Sequence, residues 1–566
     1  MNLIKISVFI AFTFKVTFIY SQNFVWAKGF SGNSYTKNSS MDIDINGNIY
    51  TIGSFKGTTD FDPDSSTFIM QSEGNSYDIY ISKLDSSGKL LWAKRIGSGS
   101  YDYGTSIQVD QEGNSYTTGT FRGITDFNPN QGIHELKSNG ESDLFILKLD
   151  SNGNFIWVKQ IGGVSNDISS SLALDKKGNL FMTGHFWGIC DFNPDTINSF
   201  NLTSYGSNDI FVSKFDPSGN YVWAVNMGGR FEDYANAITI DQGGNVLTTG
   251  SFTVKGDFDP GIGEFILTSS GNPYIFISKL DSNGNFVWAK STGTKYPSAS
   301  ATWGNSIISD NSGNIYTTGQ CYGDTDFDPG SDTFMIRGFY DIFIFKLDSR
   351  GDFIWAKVIG SDQNLDEGFS LTLDATGNIF ASGSFSDSCD FNLDLENKWL
   401  KSESEKDIFI AKYDSNGIFK WVVALGGPLN QTGNCIKLDK HGNIYTSGTY
   451  TRTFDSDPGE GIFTLPFSIY SSAFIQKMNE PTIIKRNNNE IVLFPNPVNS
   501  TLTLNLASLN TANKRVQVFN TVGQILLDQN FIESKVTVNL ENLKSGIYFV
   551  RINCENQYIT KRIFKN

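Results

Sequence analysis

Residues 106–161 set the pattern of the chain. SIQVD (106–110) alternates apolar and polar side chains, QEGN turns the chain, and SYTTGTF (115–121) alternates again. An irregular stretch, RGITDFNPNQGIHELKSNGES, leads to DLFILKLD (143–150), a Ser-Asn-Gly turn and NFIWVKQI (154–161). Alternation with period two, bounded by Gly and Asn, predicts four short strands, a to d, with tight hairpins at a–b and c–d. Four such antiparallel strands make one blade of a β-propeller.

The unit recurs. Strand d tryptophans stand at Trp26, Trp92, Trp157, Trp223, Trp288, Trp355 and Trp421, spaced 65 to 67 residues apart. Strand c lysines stand at Lys83, Lys148, Lys214, Lys279, Lys346, Lys412 and Lys477. A third marker, Asp-x-x-Gly-Asn, keeps the same beat from Asp44 to Asp439. A repeat of this length suits a propeller blade carrying an insertion. The tryptophan and lysine series are out of step: NFVWAK (23–28) is a strand d without its blade, and AFIQKM (473–478) is a strand c without its d. Joining the two ends completes a last blade, whereas an open solenoid needs capping repeats instead. The expected fold is therefore all-β: a seven-bladed propeller over residues 22–479, closed by the N-terminal strand with Trp26 and Lys477 at the closure. The strand d tryptophans are expected to pack between blades or against their own sheet, and the lysine heads to lie near the turn aspartates.

Composition agrees with many short strands and tight turns, since 55 glycines and 14% aromatics accompany only 18% charged residues. The formal net charge of −15 argues against nucleic acid as a partner. MNLIKISVFIAFTFKVTFIYSQ reads as a secretory signal over residues 1–21, cut after Ser21, too short and too broken by Lys15 to span a bilayer. No membrane span is expected in the mature chain. Five cysteines without a spacing pattern argue against a disulfide framework, and no Cys-x-x-Cys pair points to zinc.

The unit GNxYxTGxF…DIFISKLDxxGNxxWAK resembles the bacterial β-propeller repeats called SBBP, related in look to NHL-type blades. From Ile491 on, LFPNPV (493–498), VQVFNTVGQILL (516–527), LKSGIYFVRI (543–552) and the basic end TKRIFKN resemble the type IX secretion C-terminal sorting domain of Bacteroidetes. That resemblance implies a small β-sandwich at 491–566, export of folded cargo through the outer membrane by the type IX machinery, and a secreted or surface-attached protein. Between the two, the polar and turn-rich residues 480–490 read as a linker.

Motifs for catalysis are scarce. His134, His185 and His441 fall in a b–c loop, a strand b and an a–b turn of different blades, so they do not converge, and no phosphate-binding glycine loop is present. One motif recurs after strand b: Asp-Phe-Asp/Asn-Pro, with Asp60 and Asp62, Asp126 and Asn128, Asp191 and Asn193, Asp257 and Asp259, Asp326 and Asp328. Asp390 and Asn392 lack the proline, and Asp455 and Asp457 form a blurred last copy. Because strands alternate direction, these b–c loops share one face with the d–a residues Asp102, Asp167, Asp233 and Asp366. In one reading each aspartate caps turn amides over a packed phenylalanine. In the other, the carboxylates bind calcium, which wants six to eight oxygen ligands. The Asp-x-x-Gly-Asn turns lack an EF-hand glutamate and read as hairpins. No cofactor is otherwise implied.

Taken together, the sequence reads as a secreted or surface scaffold binding a glycan, matrix or protein partner through its b–c loops, with Trp187 and Tyr322 as candidate exposed aromatics. A carbohydrate-active lyase or glycosidase on the same scaffold, or a purely structural envelope protein, are the alternatives. An enzyme breaks the repeat at one place, and the nearest departure, Thr292–Trp303, carries no carboxylate.

Overall fold

A computed structural model describes residues 19–32, 35–195, 197–293, 300–360, 365–392, 397–459, 461–484, 492–494, 498–505, 514–520, 524–533, 535–554 and 557–566. The expected signal lies almost wholly outside these residues. No helix occurs among them. The chain divides into two compact units, Gln22–Pro481 and Thr482–Asn566 together with Met1–Ser21.

The larger unit is a succession of antiparallel sheets in chain order a-b-c-d. The first holds Tyr35–Ile43, Ile49–Lys56, Asp78–Leu84 and Leu90–Ile96, the second Tyr103–Val109, Ser115–Phe121, Asp143–Leu149 and Phe155–Gly163. The third is Asp167–Leu174, Leu180–Phe186, Asp209–Phe215 and Tyr221–Gly229. The fourth runs Tyr234–Ile240, Val246–Asp257, Ile266–Leu280 and Phe286–Ser291, and the fifth Ala301–Ser309, Ile315–Asp326, Met335–Leu347 and Phe353–Ile359. The sixth is Glu367–Leu373, Ile379–Phe385, Asp407–Tyr413 and Phe419–Leu425. The last has Thr432–Leu438, Ile444–Asp455 and Thr464–Ile484, and its outer neighbour is Ile19–Gly29 from the start of the chain. Each a strand lies against the a strand of the next sheet, and that of the last lies against that of the first. Together they line a polar cavity of about 310 Å³, from Ser40 in the first sheet to Asn434 in the last.

Where the last sheet meets the first, the lining carries an ion pair, Lys437 Nζ to Asp42 Oδ1 at 3.4 Å. Asn434 Nδ2 donates to the Asn38 carbonyl at 2.6 Å, and Ser471 Oγ to that of Thr36 at 3.2 Å. Elsewhere the position of Lys437 and Asp42 holds Gln108, Ala173, Thr239, Ile308 and Thr372. Between sheets the core is aromatic and β-branched: Tyr50, Ile79, Ile81, Phe121, Phe127 and Phe145 pack at one joint, and equivalent clusters fill the others.

One expectation changes. The stretch after strand b is not irregular but an antiparallel ribbon, with Ile124–Asp126 paired to Glu135–Lys137. Its inner edge then zips onto strand d of the preceding sheet, as in Gly162↔Asp191 and Gly163↔Cys190, Gly228↔Asp257 and Ser31↔Asp60. The tryptophans mostly stand half-buried at the joints. Trp92 Nε1 donates to the Ser151 carbonyl in the next c–d turn at 3.2 Å, and Trp223 to Ser282 at 3.2 Å. Gly153 has φ 76° and rests on that ring; a Cβ there would lie 2.9 Å from Trp92 Cδ2, so the turn glycine serves both the hairpin and the joint. Trp421 alone of the series is fully buried.

The strand c lysine shares the same carbonyl: Lys83 Nζ reaches Ser151 O, and Lys214 Nζ reaches Ser282 O, both at 2.9 Å. Its ammonium lies over an aromatic ring of its own sheet, with Lys83 Nζ 4.7 Å from the centre of the Tyr50 ring. The a–b turn aspartate stands close by, 2.9 Å away for Lys279 and Asp241.

In the smaller unit, Val492–Phe494, Thr501–Asn505 and Lys535–Asn539 form one antiparallel sheet. Lys514–Phe519, Ile525–Phe531, Gly546–Cys554 and Gln557–Lys565 form a second. Leu502, Leu504, Val536 and Val538 of the first share one apolar core with Val516, Val518, Val550 and Ile552 of the second.

Candidate functional site

Each Asp-Phe-Asp/Asn-Pro segment sits where a ribbon turns back. Asp60 Oδ1 accepts the amides of Asp62 at 3.0 Å and Phe68 at 2.8 Å. Asp126 does the same for Asn128 and His134, Asp191 for Asn193 and Phe200, and Asp257 for Asp259 and Phe265. Asp326 caps Asp328 and Phe334, Asp390 caps Asn392 and Lys398, and Asp455 caps Asp457 and Phe463. The second oxygen-bearing residue caps the next amide: Asp62 that of Asp64, Asn128 that of Asn130, Asn193 that of Asp195, Asp259 that of Gly261, Asp328 that of Gly330, Asp457 that of Gly459. The phenylalanine packs below: Phe127 lies 5.1 Å from Phe121 and 5.0 Å from Phe145. In the last copy the ring moves two residues back, to the far side of Asp455, and Phe454 lies tilted 4.8 Å from Phe474.

These loops lie one to a sheet and bring no two sets of carboxylates together. Among the described residues no group of three or more His, Cys, Asp and Glu could hold a metal ion. The donor set fits amide capping, in which each first carboxylate oxygen is already shared by two N–H groups, and does not assemble the oxygen shell of a hard cation.

The d–a aspartates do not ring the surface as expected. Asp102, Asp167, Asp233 and Asp366 are fully buried at the joints. Asp233 accepts the Gly229 amide at 2.7 Å and the Thr253 amide at 3.0 Å, tying two sheets to one side chain. Facing them is a second series that the sequence reading passed over, Asp78, Asp143, Asp209, Asp341 and Asp407, at the start of strand c. The signal was present as the recurring Asp-Ile/Leu-Phe/Tyr-Ile, with a glycine closing strand d. A Cβ at Gly228 would lie 2.8 Å from Asp233 Oδ2 and 3.1 Å from Asp209 Oδ1, so the two carboxyls meet over that glycine. Burial pushes Asp78, Asp167, Asp209 and Asp233 up to about 7, and Asp102 and Asp407 up to about 6.

His134 is exposed beside Phe155 and His185 is half-buried edge-on to Tyr234 at 4.7 Å, with its imidazole pulled down to about 4 by desolvation. His441 lies in an exposed turn, so the three remain apart. Cys190, Cys321, Cys389 and Cys435 are buried free thiols. Trp187 is 54% exposed, its Nε1 on the Gly206 carbonyl, whereas Tyr322 stacks on Tyr340 at 4.5 Å.

Comparison with known proteins agrees with this picture. Residues 492–566 match the family model of the secretion system C-terminal sorting domain, and residues 91–120 and 156–188 that of a β-propeller repeat, SBBP. The chain is 22% identical over 507 residues to an uncharacterized WD repeat-containing protein, L264, of Acanthamoeba polyphaga mimivirus, covering 72% of this chain and 35% of the relative. It is 30% identical over 146 residues to the regulatory protein FlaEY of Caulobacter vibrioides, covering 26% and 15%. The chain thus spans about a third or less of the length of these relatives. Among solved structures, PorZ, a surface component of the type-IX secretion system of Porphyromonas gingivalis, aligns at 10% identity and TM-score 0.25 over 95% of this chain and 100% of that one. A Bacteroides caccae protein of unknown function aligns at 10% identity and TM-score 0.27, over 59% and 93%. The chain carries the propeller repeat and the type IX sorting domain, and is secreted or attached to the outer-membrane surface. Among the described residues no helix is long and apolar enough to cross a membrane.

Proposed function

We propose that residues 22–479 close into a seven-bladed propeller, its last blade completed by the N-terminal strand through Trp26 and Lys477. We further propose that this disc is a binding scaffold whose ribbon face meets an extracellular glycan, matrix or protein partner. Residues 491–566 would engage the type IX machinery during export, with residues 480–490 joining the two. The strand order of the last sheet and the pair Lys437–Asp42 support the closure.

One observation carries the binding reading: the ribbon tips hold apolar side chains in water. Ile133, Ile197, Ile262 and Ile462 are 78% to 111% exposed, and Trp399 on the same face is half exposed. The caps hold the turns without these isoleucines, and a partner seated on that face would take them out of water. The recurring Asp-Phe-Asp/Asn aspartates of that face are engaged in caps and the d–a aspartates are buried at joints, which favours binding over general acid–base chemistry at these residues.

The test is a glycan and matrix-protein array probed with the secreted chain. Retention on a defined class is expected, and it should be lost when the four isoleucines are changed together to Ser while the melting temperature holds. Turnover of an arrayed glycan would replace this reading with the enzyme, and an absence of any specific retention would favour the structural envelope role.

A further inference from the structure

One joint on the ribbon face gathers three tyrosines. Where the first sheet meets the second, Tyr77, Tyr101 and Tyr103 stand as a group. The rings of Tyr101 and Tyr103 lie 6.3 Å apart and within 6° of parallel, and Tyr77 is 6.2 and 5.6 Å from them. Tyr101 and Tyr103 are 49% and 40% exposed. Burial, followed by the neighbouring phenols, raises the Tyr77 and Tyr103 hydroxyls.

The fold does not ask for these rings. It uses the Tyr77 position through its backbone, whose carbonyl accepts the Asp102 amide at 2.8 Å; Ser142, Asn208, Tyr340 and Lys406 do the same for Asp167, Asp233, Asp366 and Gln431. The position of Tyr101 is Asn166, Glu232, Ala301, Leu365 or Asn430 at other joints, and Tyr35 where the last sheet meets the first. Serine, asparagine or lysine suffices for the backbone contact at three joints, so it does not need the Tyr77 ring, and among the described residues three tyrosine rings meet only here.

The charge around them is also inverted. Lys56 Nζ stands 6.0 Å from the Tyr77 ring. Lys37 is exposed on the adjoining strand, and the Arg122 amide donates to Asp102 Oδ1 at 3.1 Å, between Tyr101 and Tyr103 in sequence. None of the three cationic side chains has a carboxylate partner among the described residues. In a chain of net charge −15, three unpaired cations beside a tyrosine platform complement an anion that also offers a flat C–H face.

We propose that Tyr77, Tyr101 and Tyr103, with Lys37, Lys56 and Arg122, form a binding platform for an anionic polysaccharide. A pyranose ring lays its C–H face on a phenol ring and its hydroxyls against the tyrosine O–H, since such side chains are apolar in the body and polar at the tip. The sugar carboxylate or sulfate takes a charge-assisted hydrogen bond from Lys or Arg. This rests on the ribbon face being the binding face and adds the ligand class and the place.

The test is affinity electrophoresis and calorimetry of the full secreted chain with polygalacturonate for the carboxylate arm, dextran sulfate for the sulfate arm and dextran as the neutral polymer. Binding to at least one anionic polymer and not to dextran is expected. Tyr101→Ala with Tyr103→Ala should weaken it at least ~10-fold. Lys56→Glu, at the partly buried end of its strand, should do the same with an unchanged melting temperature. Salt of about 1 M, where the Debye length is about 3 Å, should release the ligand. Binding to dextran as well, no binding to either polyanion, or affinity unmoved by both variants would overturn the platform. Affinity that is unmoved by these variants yet lost on changing the ribbon-tip isoleucines would overturn the platform and leave the binding face standing.

Discussion

The closure of the ring is best tested at Trp26. Its strand begins the described chain and is the outer strand of the last sheet. Its indole N–H donates to the Ser86 carbonyl at 3.4 Å, and the same carbonyl accepts Lys477 Nζ at 3.1 Å. Two donors from opposite ends of the chain thus grip the first c–d turn. Gly88 of that turn rests on the ring, where a Cβ would come within 3.3 Å of Trp26 Cδ2, and Tyr445 meets it edge-on at 6.2 Å. Trp26 is half-buried, so its truncation costs less than the ~3–5 kcal/mol of a fully buried tryptophan. Half of about 200 Å² at about 25 cal/mol per Å² gives about 2.5 kcal/mol. The long hydrogen bond adds at most about 1. Trp26→Ala should therefore cost about 3 kcal/mol in urea unfolding followed by circular dichroism. The internal standard is Trp223→Ala, where the same two donors meet Ser282 inside the array. If the N-terminal strand completes the last blade, the two variants should fall together. A cost below about 0.5 kcal/mol at Trp26, beside about 3 at Trp223, would mean that the strand is not held there.

Trp421 offers the converse case: it is fully buried and its N–H has no acceptor among the described residues, because the last sheet has no c–d hairpin to supply one. Trp421→Phe should be nearly neutral, since the lost ring is offset by relief of an unpaired donor worth about 1–3 kcal/mol, while Trp223→Phe should lose about 1–2. The joint carboxyls rise on folding to about 6–7, so the folded chain holds more protons than the unfolded and stability must fall as pH rises through that range. The turn aspartates Asp150 and Asp216 work oppositely: slight burial raises them, but hydrogen bonds from Asn154 and Asn220 outweigh it and hold them low, so their contribution is lost on strong acidification. The melting temperature should peak at mildly acidic pH and be lower at pH about 8, and calorimetry showing the reverse slope would refute the assignment. Chelation should leave the melting temperature unchanged, while Asp126→Ala, which strips two amides of their acceptor, should cost about 2 kcal/mol; a drop on adding chelator would instead establish calcium at the loops.

What could be read in the sequence was what the chain decides locally. A turn glycine, a flanking aspartate and alternating apolar residues act within about ten residues, so the hairpins and their beat were visible from KLDSNGNFVWAK alone. The offset of Trp26 against Lys477 was visible too, because it is a matter of counting. The ribbons were missed because Ile124–Asp126 and Glu135–Lys137 are three residues each, too short for alternation to register, and their pairing with strand d of the previous sheet is long-range. The tyrosine platform is assembled across a joint and has no spacing of its own.

The buried aspartates show the deepest reason for such misses. Aspartate at the start of a strand reads as a turn residue on the surface, and only the missing Cβ of the facing glycine reveals a carboxyl stored in the joint. Compared across joints, the two positions follow a rule. Asp78 faces Asp102, Asp143 faces Asp167, Asp209 faces Asp233 and Asp341 faces Asp366; Asp407 faces Gln431; Tyr274 faces Thr302 and Ser472 faces Thr36. No joint sets a lone carboxyl against an apolar residue. Two ionised carboxylates cannot share so dry a site, so an acid pair is stable when it keeps one proton between its members. Gln431 places an uncharged amide where other joints hold a second acid, although neither of its amide atoms has a hydrogen-bond partner among the described residues, and the hydroxyl joints dispense with charge altogether. The alternation of acid, amide and hydroxyl at one geometric position is thus a single solution for joining one sheet to the next, written in three chemistries.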